Sequence, residues 1–114
     1  MNPPTFNAQV RQQDQRIVID LNGEINAQAD QILSQAYTEA ENHNTEVIVL
    51  NFSDVDYINS TGIALIVGLL AQARKAHRRL VVYGLSEHYV QIFQITRLSD
   101  FMDIFSNESS ALTN

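Results

Sequence analysis

Two short apolar runs, Val47–Leu50 ("VIVL") and Leu80–Tyr83 ("LVVY"), flank one strongly apolar helical stretch that begins at Ser60 or Thr61 and fades near His77. Unbroken runs rich in β-branched residues fit central strands covered on both faces, where neither side of the pleat meets water. Strand, helix and strand in succession over about forty residues make a βαβ crossover, right-handed by default. That unit commits the chain to an α/β architecture with a parallel core.

The remaining elements group around it. Phe6, Ala8 and Val10 alternate with polar neighbours, so Thr5 to Gln13 reads as a strand, while Pro3 and Pro4 argue against a helix before it. Ile17, Ile19 and Leu21 alternate in "QRIVIDLNG", which ends at Gly23, and the join at "QDQ" makes the two runs an antiparallel hairpin. Ala29, Ile32, Leu33, Ala36, Tyr37 and Ala40 then follow the spacing of a half-buried helix, with Asn26 as its cap and "ENHNTE" as its end. Ser86 caps a third helix through about Gln94, on which Tyr89, Ile92 and Phe93 form the packed face. "FMDIF" (Phe101–Phe105) reads as a last short strand, and "SNESSALTN" is polar enough to fray. The fold expected is one α/β domain over residues 1–114, with a mixed sheet, a core from about 5 to 105, a polar tail over 106–114 and covering helices.

Composition narrows the function. The 114 residues, 45% of them hydrophobic, suffice for a core without staples, and no cysteine is present to supply a disulfide or a thiolate metal site. Seven Lys and Arg against 13 Asp and Glu give a net charge of −6, which disfavours nucleic acid and anionic membranes as partners. "MNPPTFNAQV" has neither the basic start nor the apolar run of a signal peptide. The longest apolar run, Gly62 to Ala71, is far short of the roughly 20 residues a membrane span needs. A soluble, cytoplasmic protein is the expectation. His43, His77 and His88 are scattered without metal spacing, and no phosphate-cradling glycine loop or G-x-S-x-G elbow occurs, so no cofactor is expected.

The corner "NSTG" (Asn59–Gly62) lies just past the end of a central strand, at the start of a helix. Open α/β sheets place functional groups there, and a helix N-terminus offers unpaired N–H groups and about half a positive charge to an anion. Two readings stand at this point. Asn, Ser and Thr are favoured caps, with Gly62 allowing close packing; alternatively, one hydroxyl is functional, since two hydroxyls plus an Asn exceed what one cap requires. The helix that follows is apolar nearly all round, hence either enclosed or keeping a face for a partner. No His or Lys base for Ser60 is evident in the sequence, which argues against catalysis.

From this corner onward the chain resembles the bacterial anti-sigma factor antagonists, the STAS-domain family. The family pattern is an apolar strand, a short loop, then Asp-Ser-Ser/Thr-Gly opening an apolar helix; here it reads "VIVLNFSDVDYINSTGIALIVG". "LVVYGLSEHYVQIFQITRLSDFMDIF" resembles the family's next strand, Leu-Ser-Glu, Phe-x-x-Thr-x-Leu and closing strand, and "LNGEIN" its Gly-Glu-Leu/Ile-Asp turn. The similarity covers nearly everything from Val10 to Phe105. It implies a non-enzymatic module with Ser60 as phosphoacceptor and Asp56, Tyr57, Ile58, Asn59, Thr61 and Gly62 as motif and partner-binding residues. The implied partners are an anti-sigma factor that is also the serine kinase, bound only by the unphosphorylated form, and a PP2C-type phosphatase. Two positions depart from the pattern: Asn59 and Asn26 stand where the family usually has Asp. Asn keeps an oxygen for capping but removes a charge beside the hydroxyl, and Asp54 and Asp56 supply charge nearby in the sequence.

Several alternatives accompany this reading. Tyr57 and Ile58 are partner contacts, or Ile58 is the last inward residue of the loop. "RKAHRR" (Arg74–Arg79) is a docking patch, or the solvated end of the helix where cations suit the dipole. At the level of function, the competitors are a non-switching STAS scaffold in a stressosome-like or lipid-transport assembly, and a small nucleotide-binding protein or enzyme using the Ser60 corner. A transporter's STAS domain is disfavoured because no membrane segment accompanies it.

Overall fold

The computed structural model describes residues 6–114; Pro3, Pro4 and the expected first strand residue, Thr5, lie outside them. β1 (Phe6–Gln13) and β2 (Arg16–Ile25) form the antiparallel hairpin around a turn at Asp14 and Gln15. A 3₁₀ turn (Ala27–Ala29) leads into α1 (Asp30–Glu41), followed by β3 (Val47–Ile58) and α2 (Ser60–Lys75). Then come β4 (Arg79–Tyr83), α3 (Glu87–Ile95), β5 (Asp103–Phe105) and α4 (Glu108–Thr113). The sheet runs β1-β2-β3-β4-β5, antiparallel at the hairpin and parallel elsewhere.

This strand order explains the layering. Each parallel connection steps one place in the same direction, so crossovers of one hand put α1, α2 and α3 on one face. Ile17, Ile19, Leu21, Ile48, Leu50, Leu80 and Val82 pack there against Leu33, Tyr37, Ile66, Leu70 and Phe93. The opposite face carries Val18, Val47, Val49 and Val81, which pack with Tyr83 and with Ala111 of α4. "VIVL" is apolar throughout because its alternate residues serve two different cores.

Four expectations need correction. The polar stretch after Leu50 is strand rather than loop, and β2 continues past Gly23 to Ile25. The parallel ladder carries both onward, pairing Asn22 with Asp54, Gly23 with Val55, Glu24 with Tyr57 and Ile25 with Ile58. Two register shifts each place an extra residue in β3, so the inward positions become Phe52, Val55 and Ile58. That spacing hides the two-residue alternation by which a strand is recognised. Secondly, the tail does not fray: Asn107 caps α4 through Ser110 N–H (2.9 Å), and Ala111 is fully buried. Thirdly, Phe101 lies outside β5 and is 53% exposed. Finally, Ile32 in the α1 stripe is exposed.

Candidate functional site

The candidate site forms where the ends of β2 and β3 meet the start of α2. Ile58 closes β3 with its side chain in the core, the inward of its two expected roles. Its N–H donates to Tyr89 Oη at 2.8 Å, and the Tyr89 hydroxyl lies 3.4 Å from the Ile58 carbonyl oxygen, which accepts from it. The Asn59 N–H donates to the Ile25 carbonyl at 3.2 Å. Asn59 is extended (φ −90°, ψ −177°), and its Oδ1 accepts from Gly62 N–H at 2.8 Å while its carbonyl accepts from Ile63 N–H at 2.9 Å. Gly62 is buried against β2, where a Cβ would lie 2.0 Å from Ile25 O and 2.9 Å from Ile58 Cγ2. The corner is thus bolted to β2 by Ile25, to α3 by Tyr89 and to α2 by its own cap.

Ser60 and Thr61 take no part in this bracing. Both are exposed, and among the described residues neither hydroxyl has a hydrogen-bond partner. Asn59 alone caps α2, so the capping account of the corner leaves both hydroxyls unexplained. No acidic residue stands in the first turn of α2. Tyr57 (53% exposed) and Asp56 sit at the surface beside the corner. Asp54 is directed elsewhere: with Asn7, Gln9, Asp20, Asn22 and Asn51 it lines a polar groove on the sheet's second face. Of the predicted set, the structure groups Asp56, Tyr57, Asn59, Ser60 and Thr61 at one corner of the surface, buries Gly62 against β2 and sends Ile58 inward.

The strongest electrostatic feature lies away from Ser60, on the α4 face, and sequence reasoning missed it. Arg11 bonds Asp20 (2.7 Å) and Glu108; Asn51 donates to Asp20 (2.7 Å), and Tyr83 Oη donates to Glu108 (3.0 Å). Desolvation pushes Asp20 upward, but hydrogen bonds from Arg11 and Asn51 outweigh it and hold the carboxyl below its usual range. The Arg11 hydrogen bond holds Glu108 low despite some desolvation, with help from Tyr83. Desolvation, with Glu108 adding to it, pushes Tyr83 up to about 12. The available signal was register: Asp20, Asn51 and Tyr83 stand side by side on β2, β3 and β4. Of the basic run, Arg78 is tied to the Thr45 carbonyl (3.0 Å) and to Glu41 (3.4 Å), and Arg79 to Asp103 (2.6 Å); these two are structural.

Comparison with known proteins decides the family, since the family model for the STAS domain matches residues 7–111. The chain belongs to the STAS-domain family. This STAS domain is 29% identical over 99 residues to the anti-sigma-B factor antagonist of Staphylococcus aureus (strain NCTC 8325 / PS 47), covering 87% of this chain and 92% of that protein. Its fold matches the crystal structure of an anti-sigma factor antagonist from Mycobacterium paratuberculosis with a TM-score of 0.83 at 19% identity, over 99% of this chain and 97% of the other. It also matches the Bacillus cell fate determinant SpoIIAA in the phosphorylated form, with a TM-score of 0.70 at 21% identity, over 92% and 96% of the two chains. No helix among the described residues of this STAS domain is long and apolar enough to cross a membrane.

Proposed function

We propose that this STAS domain is an anti-sigma factor antagonist whose affinity for its partner is set by phosphorylation of Ser60. The observation that carries the reading is an exposed Ser60 hydroxyl, without a partner among the described residues, at the first turn of α2, beside a cap that does not use it. The relative from Staphylococcus aureus is an anti-sigma-B factor antagonist, and SpoIIAA has been solved in a phosphorylated form, which supports the same assignment. In this reading the unphosphorylated corner, with Tyr57 and Thr61 beside Ser60, binds an anti-sigma factor that is also the serine kinase. A PP2C-type phosphatase resets it, the exchange takes place in the cytoplasm, and the domain catalyses no reaction of its own.

The physics suits a switch on a rigid module. A phosphate adds about −1.5 to −2 charges. At the helix N-terminus it is favoured by roughly 0.3 to 2 kcal/mol, and no acidic side chain in the first turn of α2 opposes it. Asn59 in place of the family's Asp removes one further repulsion while keeping the cap. Across an interface, the same phosphate facing a carboxylate costs several kcal/mol, and about 1.4 kcal/mol is already tenfold in affinity. Binding is therefore lost without refolding. Calorimetric titration of the organism's own anti-sigma factor tests this: Ser60→Ala should bind like wild type, and Ser60→Asp should stay folded and bind at least about tenfold more weakly. A folded Ser60→Asp variant of undiminished affinity would overturn the switch and leave a constitutive scaffold.

A further inference from the structure

We propose that the outer side of the C-terminal half of α2, together with Phe101, is a second docking surface, separate from the Ser60 corner. It suits an amphipathic helix of a partner protein that carries a carboxylate beside its apolar face. Val67, Leu70, Ala71, Arg74 and Phe101 line a groove of about 380 Å³, with Val67 45% and Phe101 53% exposed. Arg74 lies over the Phe101 ring, 4.9 Å from its centroid, and so stands at the groove itself.

Charge identifies the occupant. Arg78 and Arg79 have carboxylate partners, whereas Arg74 and Lys75, both exposed in the last turn of α2, pair with no carboxylate among the described residues. In a protein of net charge −6, an apolar groove with Arg74 in its wall and Lys75 next to it in the chain is complementary to an apolar segment flanked by acid.

The surface should act independently of Ser60. Fourteen residues separate Ser60 from Arg74, or ~21 Å along the helix, beyond the roughly 8–10 Å over which exposed charges act at moderate salt. A partner held here would stay bound while the corner is modified.

The test uses the full chain and two synthetic amphipathic helices with the same Leu/Ala face, one flanked by Glu and its twin by Lys, followed by amide NMR shifts. The acidic peptide should bind about tenfold tighter than the basic one, with shifts confined to Val67–Lys75 and Phe101. Arg74→Glu should reverse the preference, and Ser60→Asp should leave the binding of both peptides unchanged. Equal binding of the two peptides, shifts centred elsewhere, self-association through these residues in sedimentation, or preferential binding to anionic phosphatidylserine vesicles would each overturn the proposal. Loss of acidic-peptide binding in Ser60→Asp would overturn the independence of the two surfaces while leaving the Ser60 switch standing.

Discussion

A Cβ at Gly62 would sit 2.0 Å from the Ile25 carbonyl oxygen, a backbone atom that already accepts from Asn59 N–H. Gly62→Ala must therefore push α2 away from the end of β2 or distort the cap. Overpacking of this kind costs about 1–3 kcal/mol or more, and urea unfolding should show a loss of unfolding free energy of that size, seen as a lower midpoint with an unchanged slope. Tyr89→Phe makes a different demand, because the ring stays and only the hydroxyl goes. The buried Ile58 N–H then loses its acceptor, at a cost of about 1–3 kcal/mol by the same measurement. A variant as stable as wild type would mean that another group, or water, satisfies Ile58. Neither residue announces these roles in the sequence. Tyr89 reads as core because its aromatic ring fits the packed stripe of α3, while its hydroxyl partner lies 31 positions away. Gly62 reads only as generic close packing, since the atom it approaches belongs to β2.

Legibility among the elements followed the reach of the forces involved. The hairpin, α1, α2 and α3 and the centres of β3 and β4 could be read because their patterns are local. The outer half of β3 could not, because two bulges set by pairing with β2 erase its alternation. The helix α4 was hidden for a related reason: "ESSALT" buries one small side chain fully, and its anchors are distant. Arg11 and Tyr83 hold Glu108, Arg16 donates to the Ala111 carbonyl, and Arg16 (2.7 Å) and Arg79 (3.1 Å) both reach the Asn114 carbonyl. These contacts predict acid sensitivity. Glu108 and Asp20 both have folded pKa values below their usual range, so their contribution is complete above that range and drains as pH falls through the lowered values. Amide exchange followed from pH 7 to about pH 3 should show α4 losing protection before the α2 and β3 core. Simultaneous loss of both would mean that α4 is fastened chiefly by its apolar contacts.

The whole molecule is a sheet whose two faces have different duties. One-directional strand order stacks α1, α2 and α3 on one side and leaves the other to α4 and a polar network, so the Ser60 corner is built entirely from the helix side. The motif order makes the family readable in the sequence, whereas the direction of Asp54, the burial of Ile58 and the idle hydroxyls of Ser60 and Thr61 emerge only once β2, β3 and α2 are brought together. A rigid, braced corner with a free hydroxyl is what a charge-operated binding switch requires, and Ser60 is the group on which that account stands. The measurement that tests it most directly is phosphosite mapping by mass spectrometry after incubation with the organism's anti-sigma factor kinase and Mg-ATP. The account predicts a single phosphate on Ser60, retained in Thr61→Ala and absent from Ser60→Ala. A phosphate on Thr61 instead, or none under conditions in which the kinase modifies another antagonist, would contradict it.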